Sequence, residues 1–215
     1  MKSILLIGLG RFGTRLAERL SETHAEVLAV DKSEKNVNAV LPFVTDALIG
    51  DGTDEEFVKS LGVHNFDACI VAIGTDFQSS LETASLLKES GAKRVISRAS
   101  SDRQANLLLK IGADEIVFPE KQIADWAAIR YGADNVFDYL KISGEYSVFE
   151  VGVPESWAGK TVTEVDVRRK YGVNIVALKK NGTVDPVITP DTVFTAGETL
   201  LVLGKFKELQ KCFKI

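Results

Sequence analysis

Cysteine and histidine are scarce in this chain of 215 residues, which contains two of each. Two cysteines cannot build a disulfide framework, and Cys69 falls within a predicted core strand. We therefore interpret Cys69 and Cys212 as reduced structural thiols of the kind found in cytoplasmic proteins. The sequence also contains no HExxH, CxxC or GxSxG motif, so neither metal-dependent hydrolysis nor acyl transfer has support.

Long apolar runs and a strong net charge are also absent. The longest apolar runs, at 68–73 and 200–203, have the length of a strand and are too short to cross a bilayer. The first predicted strand begins at the N-terminus, so we expect no signal peptide. The net charge of −4, without a basic stripe interleaved with aromatic residues, argues against binding to nucleic acid. A hydrophobic content of 45% is ordinary for a globular protein.

Short apolar segments alternate with segments of helical periodicity in the first part of the chain. The predicted strands are 3–8, 26–31, 47–50, 68–73, 94–98 and 115–118. The predicted helices between them are 12–20, 34–41, 54–61, 76–89 and 103–111. Strands joined by helical crossovers form a parallel sheet with helices on both faces. The sequence therefore predicts an α/β fold, a Rossmann-like doubly wound domain at residues 1–135.

The pattern changes after about residue 138. Strands are predicted at 147–153, 174–180 and 199–203, with one short helix at 163–170 that a threonine caps. These elements predict a small C-terminal α+β domain at residues 136–215. Before it, residues from about 121 to 132 form a predicted helix, QIADWAAIRY at its centre, with apolar or small residues on more than one face. Such a helix packs between two bodies, which are here the two domains or two copies of the chain.

The most informative segment is GLGRFG, at residues 8–13, which follows the first predicted strand. Gly8 permits a tight turn, Gly10 lets backbone N–H groups approach a phosphate, and Gly13 lets the following helix pack close to the sheet. The helix directs the positive end of its dipole at the anion. Asp31 ends the second strand, where a carboxylate can accept hydrogen bonds from ribose hydroxyls. This arrangement predicts a nucleotide site.

Further candidates lie at the carboxyl ends of the other strands, which face the same crevice. We assign to this site, besides the glycines and Asp31, the residues Phe12, Lys32, Asp51, Gly52, Thr53, Ala72, Ile73, Gly74 and Arg98. Arg11 stands inside the glycine turn, where its guanidinium is either a bidentate ligand of a terminal phosphate or a solvated first-turn residue. Glu120 is either an acid favoured by a helix start or a charge near the phosphates, acting through a cation.

Hydride transfer is the usual activity of a glycine-rich Rossmann turn, and it requires an acid–base group beside the cofactor. His24 and His64 each precede a strand, which places them at the amino end of the sheet, away from the ligand edge. We therefore predict that the protein is not an enzyme. An NAD(P)-dependent oxidoreductase remains the alternative, followed by a soluble NADH-sensing regulator, although no DNA-binding helix-turn-helix is visible.

The chain resembles RCK (regulator of K⁺ conductance) domain proteins of the KtrA/TrkA type. The resemblance rests on IGLGRFG, AVD, GDGT, VAIG and IGADEIVFPE, which occupy 7–13, 29–31, 50–53, 71–74 and 111–120. Two later segments, YGVNIVALKK and AGETLLVLG at 171–180 and 196–204, resemble the second domain of that family.

The resemblance implies a cytoplasmic gating subunit at the inner face of the membrane, attached to a K⁺ channel or transporter of the TrkH/KtrB type. In this family N-domains pair through the swapped helix after the last strand, and eight copies form a ring, alone or with a paralogue. Exchange of ATP-like and ADP-like ligands, or NADH in some members, shifts the ring and opens or closes the pore.

The resemblance also implies roles for single residues. The glycines of 8–13 would cradle phosphates, Asp31 would hold the ribose, and 51–52 with 72–74 would hold the base. Arg11 would reach the terminal phosphate across a dimer, and Glu120 would help hold a monovalent or divalent cation between two nucleotides. Arg11 and Glu120 favour ATP and ADP over NAD(H), whereas Asp31 suits either.

Some relatives bind a regulatory ligand, cyclic di-AMP, in the second domain. Arg168 and Asn174 are the candidates here for contacts to phosphate and base. On the residues alone, the favoured interpretation is a surface arginine and a turn asparagine before a strand.

Overall fold

The computed structural model describes residues 1–215, which divide into two compact units, Met1–Lys121 and Gln122–Ile215. The first unit contains a six-stranded parallel sheet in the order β3-β2-β1-β4-β5-β6. Its strands are β1 Ser3–Ile7, β2 Glu26–Asp31, β3 Asp46–Ile49, β4 Ala68–Val71, β5 Val95–Arg98 and β6 Glu115–Val117. Its crossover helices are α1 Arg11–Ser21, α2 Glu34–Val40, α3 Glu55–Ser60, α4 Phe77–Glu89 and α5 Asp102–Lys110.

The central strand β1 has a hydrophobic cluster on each face. Leu5 and Ile7 belong to one cluster, while Ile4 and Leu6 belong to the other, as the alternation of side chains along a strand requires. Helices therefore cover both faces, and the Rossmann-like prediction is confirmed. The strand order reverses between β1 and β4, and such a switch point opens a crevice at the carboxyl ends of the strands.

The second unit contains a five-stranded sheet of antiparallel pairs in the order β10-β9-β11-β8-β7. Its strands are β7 Val136–Ser143, β8 Tyr146–Gly152, β9 Asn174–Lys180, β10 Thr183–Asp185 and β11 Thr199–Lys205. Its helices include α7 Val162–Val165, α8 Val167–Tyr171 and α9 Phe206–Phe213. They come after helix α6, Pro119–Gly132, which is described below. A separate apolar core forms around Phe149, Phe194 and Leu200, and the predicted α+β class is confirmed.

One prediction in this unit was wrong. The helix predicted at 163–170 is two short helices, α7 and α8, which meet at Asp166. Asp166 has a φ of 49°, in the left-handed region, which interrupts the helical backbone. The sequence patterns also missed β7, β10 and α9.

Helix α6, Pro119–Gly132, begins earlier than predicted, with proline in its first turn. The contacts of this chain place residues from Gln122 onward in the second unit, whereas the sequence indicated a boundary after residue 135. The physical reason is that Ile129 packs against the second hydrophobic core. No residue of α6 is buried, and Ile123 is 64% exposed. Its role as an interface helix stays a prediction. No helix of the structure has both the length and the apolar character needed to cross a membrane.

Candidate functional site

A cavity of about 600 Å³ opens at the carboxyl edge of the parallel sheet, within the size range of small-molecule and cofactor sites. The structure brings most of the predicted site residues together in its lining: Gly8, Gly10, Arg11, Phe12, Asp31, Lys32, Asp51, Gly52, Ala72, Ile73, Gly74, Arg98 and Glu120. The lining also contains eight residues that we did not assign to the site: Ile7, Ser33, Asn36, Gly50, Thr75, Asp76, Ser79 and Pro119. Gly13 and Thr53 were assigned to the site but do not line the cavity. We refer to this cavity as the cleft.

The three glycines of the turn between β1 and α1 have different physical reasons. Gly8 has a φ of +96°, and an added Cβ would lie 2.9 Å from the backbone nitrogen of Ile73. At Gly13 an added Cβ would lie 1.9 Å from the carbonyl oxygen of Gly8, so the helix can approach the turn only without a side chain. An added Cβ at Gly10 would meet no protein atom within 4 Å. The protein therefore leaves open space at Gly10, where a ligand can approach the backbone.

The start of α1 presents unpaired backbone donors to this space. Gly10 is the residue that caps the helix, and it offers no side chain to accept from the first turn. The N–H of Thr14 donates to the carbonyl of Gly10 at 2.9 Å, so the amides between these two residues precede the first intrahelical bond. The first turn also has no acidic residue. Free amides and the helix dipole together favour an anion such as phosphate.

Asp31 is tied to the protein more closely than the sequence indicated. Its Oδ2 accepts from the N–H of Leu9 at 2.6 Å, within the glycine turn. Its Oδ1 accepts from the N–H of Ser33 at 2.8 Å and from Nδ2 of Asn36 at 3.2 Å. A carboxylate has about four acceptor positions, so about one remains for a ribose hydroxyl. Ser33 could have been found from sequence, because an aspartate often accepts from the N–H two residues later.

Two other carboxylates of the cleft are held by neighbouring donors. Asp51 accepts from the N–H and the hydroxyl of Thr53, at 3.0 and 2.8 Å, and these bonds lower the pKa of Asp51. Asp76 caps α4 and accepts from the hydroxyl and N–H of Ser79, which lowers the pKa of Asp76. Thr53 thus positions Asp51 from behind. Both carboxylates are ionised at neutral pH, beside the cations of Arg11, Lys32 and Arg98.

Arg98 and Glu120 form an ion pair at the edge of the cleft, with Nη2 of Arg98 2.5 Å from Oε1 of Glu120. The guanidinium carbon of Arg98 lies 5.5 Å from the ring centroid of Phe12, a cation–π contact. Gly74 makes room for it, because an added Cβ would lie 1.9 Å from Nη1 of Arg98. The N–H at the start of its own helix and the pairing with Arg98 lower the pKa of Glu120.

The cleft has donors for phosphate but no assembled metal site. The structure contains no group of three or more histidine, cysteine, aspartate or glutamate side chains that could hold a metal ion. A cation at Glu120 would therefore need further ligands from the nucleotide or another chain, and this site stays a prediction. Neither histidine lines the cleft. Burial raises the pKa of the Cys69 thiol to about 12 and that of Cys212 to about 11, so neither is an activated nucleophile.

The two candidates in the second domain lie outside this cleft, in the second unit. Arg168 is an exposed residue of α8, and Asn174 is the exposed first residue of β9. No hydrogen bond or ion pair links them. Their assignment to a regulatory ligand stays a prediction.

A parallel sheet with a glycine-rich anion site at its switch point, followed by a small antiparallel domain, defines the class of two-domain nucleotide-binding modules. Comparison with family models makes this specific: residues 4–119 match the TrkA-N domain and residues 147–215 match the TrkA-C domain. The chain belongs to the TrkA family, and the resemblance noted in the sequence is confirmed.

Relatives match along nearly the whole chain. Ktr system potassium uptake protein C of Bacillus subtilis (strain 168) is 41% identical over 212 residues, which cover 98% of this chain and 95% of the relative. Ktr system potassium uptake protein A of the same organism is 36% identical over 210 residues, with 98% and 95% covered.

A solved structure of the GsuK channel bound to NAD has the same fold, with a TM-score of 0.66 and 19% identity. The match covers 98% of this chain and 38% of the channel chain, so this chain spans well under half of that protein.

Proposed function

We propose that this protein is a nucleotide-sensing regulatory subunit of a potassium uptake system. The observation that carries the proposal is the 41% identity with Ktr system potassium uptake protein C, over 95% of that protein's length. The cleft supplies the nucleotide-binding part, with its open backbone at Gly10 and the uncapped start of α1. The protein would act by binding and changing shape, without catalysing a reaction.

The ligand we propose is an adenine nucleotide, with ATP and ADP favoured. Arg11 lines the cleft at the end of α1 that attracts phosphate, and a guanidinium can hold a terminal phosphate at two points. Asp31 has an acceptor position for a ribose hydroxyl. Because ATP, ADP and NAD(H) all contain ribose, Asp31 does not distinguish between them. NAD(H) is the alternative ligand, since the GsuK channel of the same fold binds NAD.

The family resemblance supports the remaining parts of the proposal. The partner would be a membrane K⁺ transporter subunit of the TrkH/KtrB type, and the protein would bind it from the cytoplasmic face. Copies of the chain would pair through α6 and assemble into an octameric ring, with a paralogue as an optional component. A cation near Glu120 and cyclic di-AMP near Arg168 and Asn174 are further ligands that the resemblance implies.

The first experiment is a calorimetric titration of the purified protein with ATP, ADP, NADH and NAD⁺ in turn. We expect ATP and ADP to bind with different affinities, because only ATP presents a γ-phosphate to Arg11. Arg11→Ala should weaken ATP binding more than ADP binding. Arg15→Ala is the matched control, since Arg15 lies one turn further along α1 and pairs with Glu18 outside the cleft.

The outcomes separate the candidate functions. Different affinities for ATP and ADP, followed by nucleotide-dependent K⁺ flux after reconstitution with a TrkH/KtrB-type subunit, would support the gating function. Tight NADH binding without any response to ATP would remove Arg11 from its assigned role. Turnover of a carbonyl or hydroxyl substrate with NADH would instead establish the oxidoreductase.

A further inference from the structure

Arg98 has a donor that the folded chain does not use. Its Nε is buried and has no hydrogen-bond partner, although buried polar atoms in folded proteins nearly always have one. The side chain is 19% exposed and lines the cleft, and Nη2 is the atom that reaches Glu120. The edge of the guanidinium formed by Nε and Nη2 is therefore half satisfied. An oxyanion with two oxygens is the group that satisfies such an edge completely.

Glu120 differs from the other carboxylates of the cleft. Asp31, Asp51 and Asp76 accept hydrogen bonds from backbone amides and from neutral side chains close to them in sequence. Glu120 instead pairs with a charged side chain, that of Arg98, and its own side chain is 56% exposed. Pairing of an exposed carboxylate with an arginine is weak enough for a ligand to replace.

We propose that Arg98 is a ligand-responsive residue that exchanges Glu120 for a phosphate of the bound nucleotide. The inference rests on nucleotide binding in the cleft, as proposed above. A phosphate offers more negative charge than a carboxylate and several acceptor oxygens, so it can engage Nη2 and the unpaired Nε together. The ring of Phe12 and the space above Gly74 keep the guanidinium at the cleft through the exchange. Glu120 acts as an internal competitor of the ligand.

The exchange links the cleft to α6. Glu120 is the second residue of that helix and the acidic residue of its first turn. When Arg98 leaves Glu120 for a phosphate, the carboxylate at the helix start loses its positive partner. The released carboxylate also becomes available to a cation that accompanies the nucleotide. Binding of a phosphate in the cleft therefore changes the charge at the start of α6.

The test is the affinity for ADP of wild-type protein and Glu120→Gln, measured by calorimetry with EDTA so that no divalent cation contributes. We expect Glu120→Gln to bind ADP about three- to fivefold more tightly, because a competitor worth a surface ion pair has been removed. Binding of adenosine, which has no phosphate, should be unchanged. In an Arg98→Gln background, Glu120→Gln should have no effect on ADP affinity.

The matched control is Glu115→Gln, which removes the partner of Arg94 from an exposed ion pair that does not line the cleft. It should leave ADP affinity unchanged. Equal or weaker ADP binding by Glu120→Gln in EDTA would overturn the inference while leaving nucleotide binding intact. Failure of the wild-type protein to bind ADP would overturn the proposed function and this inference with it.

Discussion

At the scale of single residues, Asp31 both shapes the site and faces it. The N–H of Leu9 donates to Oδ2 of Asp31, and Leu9 is 1% exposed, so this amide has no access to water as a substitute acceptor. Ser33 and Asn36 donate to the other oxygen. The carboxylate thus fixes the glycine turn against the end of β2 before any ligand binds.

Asp31→Ala should therefore destabilise the protein even without nucleotide. Loss of the acceptor leaves a buried N–H unpaired, at a cost of about 1 to 3 kcal/mol in the free energy of unfolding. Urea denaturation of the ligand-free protein measures it. Asp46→Ala is the control, since Asp46 is exposed and accepts from the adjacent N–H of Ala47. Unchanged stability of Asp31→Ala would restrict Asp31 to a role in ligand binding.

Alanine variants at Gly10 and Gly13 distinguish an effect on nucleotide binding from an effect on folding stability. Gly10→Ala should change the free energy of unfolding by less than about 0.5 kcal/mol, because its Cβ meets no protein atom and its φ of −68° suits alanine. The same methyl group would occupy the space proposed for phosphate, so ATP affinity should fall by more than about tenfold. Gly13→Ala should lose stability as well, since its Cβ would overlap the carbonyl of Gly8.

Paired urea denaturation and calorimetry on the two glycine variants provide the measurement. ATP binding of wild-type strength by Gly10→Ala would show that no phosphate approaches this turn. A Gly13→Ala protein as stable as the wild type would show that the helix can move away from the turn at little cost.

At the scale of elements, the parallel sheet was predictable and much of the second sheet was not. Central strands such as β1 and β4 are continuous apolar runs that leave little ambiguity. Strand β7 is an edge strand whose apolar residues are interrupted by Asp138 and Lys141, and it was missed. The break between α7 and α8 depends on the left-handed backbone of Asp166, which no periodicity reveals.

The candidate site was likewise predictable from the sequence only in part. Residues of the glycine turn and of the strand ends follow from motif spacing and from the rule that ligands bind at the carboxyl edge. The pairing of Arg98 with Glu120 was not predicted, because it depends on the end of β5 and the start of α6, which only the folded sheet brings together. The hydrogen bonds that hold Asp51 and Asp76 are short-range and could be derived from the sequence.

A substitution at Ile123 tests self-association through α6 more sharply than a substitution at Trp126. Trp126 is half-buried and donates from Nε1 to Oδ1 of Asp138 at 2.9 Å, so Trp126→Asp would also damage packing within the chain. Ile123 is 64% exposed on the same helix. Ile123→Asp should keep the fold and lower the molar mass measured by light scattering, because it places a charge in the proposed interface.

Gln122→Asp is the matched control for Ile123→Asp, since it adds the same charge at the neighbouring exposed position of α6. Circular dichroism should show that both variants are folded. An unchanged molar mass for Ile123→Asp would mean that α6 does not pair copies of the chain through this face.

At the scale of the whole molecule, the chain has two compact units with separate hydrophobic cores. One pair of clusters surrounds the parallel sheet, and another cluster fills the antiparallel unit. The lining of the cleft comes entirely from residues of the first unit. A ligand in the cleft therefore stabilises the first unit directly, and the second unit only to the extent that the two unfold together.

Hydrogen exchange with and without ADP distinguishes these cases in the full-length chain. ADP at 100 times its dissociation constant stabilises the state that binds it by about 2.7 kcal/mol. Core amides of β1 and β4 should then exchange about a hundredfold more slowly if they exchange through unfolding of the first unit. Amides of β8 and β11 should be slowed far less, because their strands belong to the other core. Gly10→Ala with the same ADP concentration should show at most about tenfold slowing, if its ADP affinity falls at least tenfold as predicted for ATP. Equal slowing in both sheets of the wild-type protein would mean that the units unfold as one, and that the nucleotide stabilises the entire chain.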